Sequence, residues 1–305
     1  MGFNRPEAKY RARMAMQGAY PHPMLVTLVY VLLTSVITNV IMFFVSDPFT
    51  TAYLYILDGA DVDEVYRYIL TGPRVTVYLL VQLLITLYLW VMQFGYTAYG
   101  LGLARRTGPG YRTLLEGFLN LGKALLASFL TALFVVLWGL LGMVPGIVLT
   151  FLGALMGPLG LGLVILGMVG MIGGGVALEV VMSYRYRLAT YYLLDHPDMG
   201  VLESISNSKQ TMKGKKIDLF VMDLSFLGWL ILSVFTLGIL GLWVSPYLCA
   251  SEANFYHWAV NGVFPGDDGV GKPSFGGQLP GGPTSGGPDS DSSGPSDTYH
   301  SPYGD

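Results

Sequence analysis

Residues 124–178 read ALLASFLTALFVVLWGLLGMVPGIVLTFLGALMGPLGLGLVILGMVGMIGGGVAL, fifty-five positions without one Asp, Glu, Lys, Arg or His. A bilayer core of about 30 Å is crossed by about 20 apolar residues, because a helix satisfies every backbone N–H and C=O without water. The run therefore has room for two crossings, over 121–142 and 159–182. Working outward, comparable stretches predict spans over 24–45, 75–101, 217–236 and 240–260. The last is more polar, and an interfacial helix is its alternative reading. The fold class implied is all-α, a polytopic transmembrane helical bundle of about six spans. Pro145-Gly146 and Gly157-Pro158 bracket a stretch too short to span, either a kinked extension of the third helix or a shallow extracellular turn.

Composition agrees with this class. Only 12% of the 305 residues are charged, about half the share usual in soluble domains. Net charge is −3, which excludes a nucleic-acid binder that works by neutralising phosphates. Cys249 is the sole cysteine, so no intramolecular disulfide or cysteine-pair metal site is available. The 24–45 segment is longer than a signal-peptide core and is followed by no small-x-small site, which makes it an uncleaved anchor.

Basic residues assign the sides. Fourteen of the seventeen precede the first span (Arg5, Lys9, Arg11, Arg13), lie between the second and third (Arg105, Arg106, Arg112, Lys123) or lie between the fourth and fifth (Arg185, Arg187, Lys209, Lys213, Lys215, Lys216). The 46–74 loop instead carries Asp47, Asp58, Asp61, Asp63 and Glu64 against Arg67 and Arg74. By the positive-inside rule the N-terminus, with an amphipathic segment over 1–23, faces the cytoplasm. The transmembrane domain covers 24–260. Residues 264–305, rich in Gly, Pro, Ser and Asp, have too few apolar groups to offset ordering entropy and are expected to form a disordered tail.

Small-xxx-small pairs at Gly153/Gly157 and Gly170/Gly174 point to close helix packing. Between the fourth and fifth spans, Asp198 is placed to cap a cytoplasmic amphipathic helix with Val201, Leu202, Ile205 and Met212 on one face and Gly214 as its stop. Lys209, Lys213, Lys215 and Lys216 then form a candidate cluster for anionic lipid headgroups, or a topogenic cluster without a ligand. Among the acids at membrane depth, Glu179, Asp223 and Glu252, the last two fall at nearly one depth if the fifth and sixth helices form a hairpin turning near Gly238. With Ser225, Tyr247, Asn254 and His257 they make a candidate intramembrane polar site for a proton or cation, or a packing device. His22, His196, His257 and His300 lack metal-ligand spacing, and no Gly-x-Ser-x-Gly, phosphate-loop or HExxH pattern occurs. No catalytic residue, cofactor or metal is assigned.

The stretch YYLLDHPDMGVLESISNSKQTMKGKKIDLFVMDLSFLGWLILSVFTLGILGLWVSPYLCASEANFYHWAV, Tyr191 to Val260, resembles the bacterial integral-membrane family known as domain of unknown function 975. The matching residues are Asp195 and Pro197, then Met212, Lys213 and Gly214, then Ser225, Phe226, Gly228 and Trp229, then Pro246 and Tyr247, and finally Phe255 and Tyr256. Lys9, Ala12, Arg13, Gly18, Tyr20, Leu137, Trp138 and Val144 to Ile147 are similar to weaker motifs of the same family. The resemblance implies a multi-pass membrane protein with no assigned activity. The leading expectation is a non-enzymatic membrane module that binds a protein partner or lipid. A small-solute or ion transporter using the acidic pair is the alternative, and an intramembrane enzyme comes third.

Overall fold

The computed structural model describes residues 2–45, 47–71 and 73–266, and all regular structure among them is helical. Asn4 opens α1 (Arg5–Gln17) by accepting a hydrogen bond from the Glu7 amide at 3.2 Å. The first span is α2 (Pro23–Val31), a π turn (Leu32–Val36) and α3 (Ile37–Phe44) in continuous sequence. The wider π turn disturbs the regular i→i−4 ladder, and the Tyr88 hydroxyl donates to the Leu33 carbonyl at 3.0 Å. The 46–74 loop contains two helices that its acidity does not announce, α4 (Pro48–Leu57) and α5 (Val62–Thr71). Phe49, Tyr53, Tyr55 and Tyr66 are exposed on them, as in an aromatic belt at a membrane interface.

The second span, α6 (Pro73–Ala104), extends past both expected ends. A 3-10 turn (Tyr111–Leu115) and the single turn α7 (Glu116–Leu119) lead into α8 (Leu121–Leu155), which runs straight through Pro145. The expected boundary at 142 is therefore replaced by the extended-helix alternative, and the reversal lies in the 3-10 turn Gly157–Gly160. The chain returns through α9 (Leu161–Tyr186) and α10 (Ala189–Asp195). Next come α11 (Val201–Thr211), α12 (Lys216–Phe235) and α13 (Gly241–Asn261). Asp198 does not cap α11: Gly200 holds that position, with no side-chain hydrogen bond. The buried face of α11 is Val201, Ser204, Ile205 and Ser208, and Leu202 points outward.

Glycine governs the α8–α9 hairpin. Gly139, Gly146 and Gly153 recur every seventh residue, and Gly160, Gly167 and Gly174 continue the interval through the reversal. A seven-residue repeat keeps one seam facing the partner helix over many turns. A Cβ added at Gly142 or Gly174 would collide with the other's carbonyl oxygen, and one at Gly146 with the Met171 backbone. Gly157, of the expected small-residue pairs, meets nothing, and Gly170 only touches Gly146. Here packing, not apolar transfer, holds the arms together, because lipid competes equally for apolar surface.

Among the described residues, five helical runs are long and apolar enough to cross a membrane: Pro23–Phe44, Pro73–Ala104, Leu121–Leu155, Gly157–Asp195 and Lys216–Phe235. The sixth expected span, now α13, is not among them. It carries Ser245, Ser251, Glu252, Asn254, His257 and Asn261, and most of its length is buried against other helices. A helix shielded by protein can keep polar side chains that lipid would reject.

Several contacts gather the helix ends at one pole of the bundle. Arg105, just past α6, donates to Asp195 at 2.6 Å and to His257 Nε2 at 2.8 Å, so α6, α10 and α13 end together. Lys215 donates to the Ala259 carbonyl at 2.5 Å, which brings the start of α12 there. Phe3 packs on Phe255 and Phe264 at ring separations of 4.9 and 6.2 Å. The expected tail thus begins with an anchored residue, since Phe264 is buried and the Pro265 carbonyl accepts from Arg11; the rest of that tail, after Gly266, lies outside the described residues.

The hairpin α12–α13 is short relative to α6. Cys249 Sγ lies 3.5 Å from the Tyr96 carbonyl, which sets the two helices in register. From that level α6 continues for roughly 23 residues, ~35 Å, whereas α13 reaches its first residue in about 8, ~12 Å. The turn between α12 and α13, with Leu237 and Gly238 both at positive φ, therefore stops roughly 20 Å below the far end of α6.

The glycine seam yields a direct test. Gly146→Ala is expected to lower the thermal midpoint of the purified protein in mild detergent by several degrees, a cost of about 1–3 kcal/mol for forcing backbones apart. Gly173→Ala, where a Cβ meets nothing within 4 Å, should leave the midpoint unchanged or slightly raised. Equal midpoints for the two variants would rule out the seam as a source of stability.

Candidate functional site

The acids Asp223 and Glu252 converge, and a residue that sequence reasoning treated only as a topological charge joins them. Arg187, just after α9, donates to Glu252, whose side chain is 12% exposed while that of Arg187 is 42% exposed. Tyr191 also donates to Glu252, at 3.4 Å. Asp223 accepts from the Tyr184 hydroxyl at 2.9 Å, and its other oxygen, Oδ1, is buried without a hydrogen bond. Asp223 lies close enough to act electrostatically on both Arg187 and Glu252. The pair thus works as a carboxylate–guanidinium–carboxylate group with two tyrosine donors. Arg187 stands in the turn between α9 and α10, four residues before Tyr191, and both reach Glu252.

The other four residues of the expected site are elsewhere. Ser225 accepts from Lys9 and donates to the Met222 carbonyl. Tyr247 packs edge-on against Phe226 at 5.0 Å. Asn254 Nδ2 donates to the Ala8 carbonyl at 2.9 Å and thereby ties α13 to α1. His257 belongs to the Arg105 joint, where its Nε2 accepts from the guanidinium, which can only donate. Glu179, the third acid, occupies space that Gly139 leaves open, for a Cβ there would collide with its carboxyl.

The family-motif residues mostly build these joints. Asp195 receives Arg105 and the Tyr256 hydroxyl, the latter at 2.8 Å, and the Pro197 carbonyl accepts from Lys123. Met212, Phe226 and Phe255 are fully buried. Gly214 adopts φ +75°, which a side chain would strain. Trp229 is half exposed and lines a groove with Lys9 and Arg13, while Gly228 faces open space.

The lysine cluster divides in two. Lys215 is committed: besides Ala259, it stands over the Trp258 ring at 5.1 Å. Lys209 and Lys213 are exposed. On α1, Lys9 sits 4.2 Å above the Phe226 ring, and burial pushes its ammonium below the ordinary value of 10.5.

With this geometry in hand, comparison with known proteins gives one match. Residues 1–260 fit the family described as protein of unknown function (DUF975), and the chain belongs to it. No curated protein and no solved structure matches the chain.

The Arg187 bridge can be tested as a unit. Arg187→Gln leaves the enclosed Glu252 with only Tyr191, and is expected to cost about 1–3 kcal/mol, less than the loss of a fully buried pair because Arg187 is partly open. Adding Glu252→Gln should recover part of that loss in thermal unfolding. Strictly additive effects of the two substitutions would mean that they do not act as a pair.

Proposed function

We propose that this protein is a non-enzymatic multi-pass module of the bacterial cytoplasmic membrane that binds a protein partner or lipid through its cytoplasmic helices. The supporting observation is how the polar groups at the gathered pole are used. Asp195, Tyr256, His257, Asn254 and Ser208 are engaged in hydrogen bonds that join helices. Arg13, Lys209 and Lys213 point outward, with no partner among the described residues. Groups committed to structure are poor candidates for chemistry, and outward cations beside an apolar belt suit anionic or acidic partners. Purification in mild detergent tests this. Lys209→Gln with Lys213→Gln, or Arg13→Gln, should change the lipid or protein that accompanies the chain, and an unchanged set in both variants would sink the reading.

A small-solute or ion transporter is the second reading, favoured by the buried, partnerless Asp223 Oδ1 beside Glu252 and Arg187. Proton-driven flux in reconstituted vesicles separates the two, and its absence removes transport.

The basic loops support a cytoplasmic N-terminus. Because Phe3 and Phe264 pack together, the chain between them crosses the bilayer an even number of times. The short reach of α12–α13 supports four full crossings and a hairpin that enters and leaves on the cytoplasmic side, in place of a fifth and sixth span. Its turn agrees, for Phe235 is 79% and Leu237 93% exposed, and no charged residue lies between Asp223 and Glu252. In a Cys249→Ser background, Asp61→Cys should label with an impermeant thiol reagent from outside and Lys213→Cys from inside. Leu237→Cys should label from neither side, and outside labelling there would restore six crossings.

A further inference from the structure

A groove of about 590 Å³ runs between α1 and the α12–α13 hairpin, within the size range of small-molecule sites. Lys9, Arg13 and His22 line one side, and Trp229, Leu240 and Trp243 the other; no acidic residue lines it. Arg13 is exposed and has no hydrogen bond or ion pair among the described residues, so its planar fork of donors is unused. Lys9 is partly desolvated, a state that an anion nearby would relieve.

Depth adds a second, independent argument. Lys9 meets Ser225, and from Ser225 the helix α12 has about ten residues left, ~15 Å. That equals the hydrocarbon of one leaflet, half of a core about 30 Å thick. With Lys9 and Arg13 at the headgroups, the hairpin turn comes to rest near the bilayer midplane. Trp229, about 6 Å along α12 from Ser225, then lies just below the cations, the exposed Leu230, Ile231 and Val234 continue the apolar surface along α12, and Trp243 stands near the turn. Cations above a tryptophan above aliphatic side chains match the order of phosphate, glycerol and acyl chain.

We propose that this groove binds an anionic phospholipid of the cytoplasmic leaflet, with the phosphate on Arg13 and Lys9 and the acyl chain passing Trp229 toward Trp243 and Leu240. The proposal narrows, and rests on, the reading that the protein binds lipid or a partner through its cytoplasmic helices. A protein segment suits the groove less well, because the groove borders the lipid-facing side of α12.

The test uses the full chain in phosphatidylcholine vesicles that contain a minor fraction of phosphatidylglycerol. Brominated phosphatidylglycerol should quench tryptophan fluorescence more than the same amount of brominated phosphatidylcholine. Arg13→Gln should weaken that preference about tenfold, with thermal stability kept, since Arg13 holds no structural contact. Leu240→Glu, which places an anion on the apolar side, should abolish it. Lys209→Gln with Lys213→Gln should leave it intact. Equal quenching by the two lipids overturns the proposal. A preference lost in the Lys209/Lys213 variant but kept in Arg13→Gln also overturns it, and leaves the broader lipid-binding reading standing. The broader reading fails separately, when neither lipid nor protein accompanies the chain in any variant-sensitive way.

Discussion

Everything in this fold follows from keeping charge out of hydrocarbon. The ion pairs Arg5–Asp218, Arg105–Asp195 and Arg187–Glu252 each tie two helices, and all three sit at the pole where the helix ends gather. Their cations are 32–42% exposed and their carboxylates 12–29%, so each pair adds little net stability. These pairs therefore act less as glue than as pins that allow one arrangement of helix ends. Away from the pins, the α8–α9 hairpin relies on a different device, the close approach of backbones along a glycine seam.

The division of labour explains why α13 looks unlike a span. Its polar residues are interior joints: Asn254 holds α1, His257 and Tyr256 complete the Arg105–Asp195 junction, and Glu252 takes Arg187. Around them Tyr191, Tyr192 and Tyr256 stack or meet edge-on with ring centroids 5.2 and 5.5 Å apart, so the layer packs as the core of a soluble protein does.

Fold class was legible in the sequence because apolar length is a strong signal: the five apolar runs lie where 24–45, 75–101, 121–142, 159–182 and 217–236 were expected, several of them longer. What composition hides is depth. Hydropathy places α12 among the candidate spans, and only the Cys249–Tyr96 contact sets the register of its hairpin against α6. The equal depth of Asp223 and Glu252 was readable from their distances to Gly238, but Arg187 was not expected there, because positive-inside counting gives every loop cation one role. The seven-residue glycine interval was present in the sequence and was obscured by the shorter four-residue pairs. Asp198 fits a capping pattern, yet Gly200 sits nearer the first turn and needs no side-chain oxygen to start α11.

The pairing of α1 with α13 and with Phe264 has a consequence for biosynthesis. The alanine stripe Ala8, Ala12 and Ala15 is buried in the finished molecule; α6 supplies part of its cover, through Tyr96, Tyr99 and Leu101, but the rest, on α13, is made about 240 residues later. At ribosomal rates of about 5–20 residues per second, that delay is on the order of 10 to 50 seconds. During that interval the nascent helix has only the α6 side of its cover, and the membrane surface is the nearest shelter for the rest of its apolar side. Closure of the N-terminal helix onto α13 then becomes a late assembly step, and a chain stopped before α13 would leave the ribosome with its first helix only half covered.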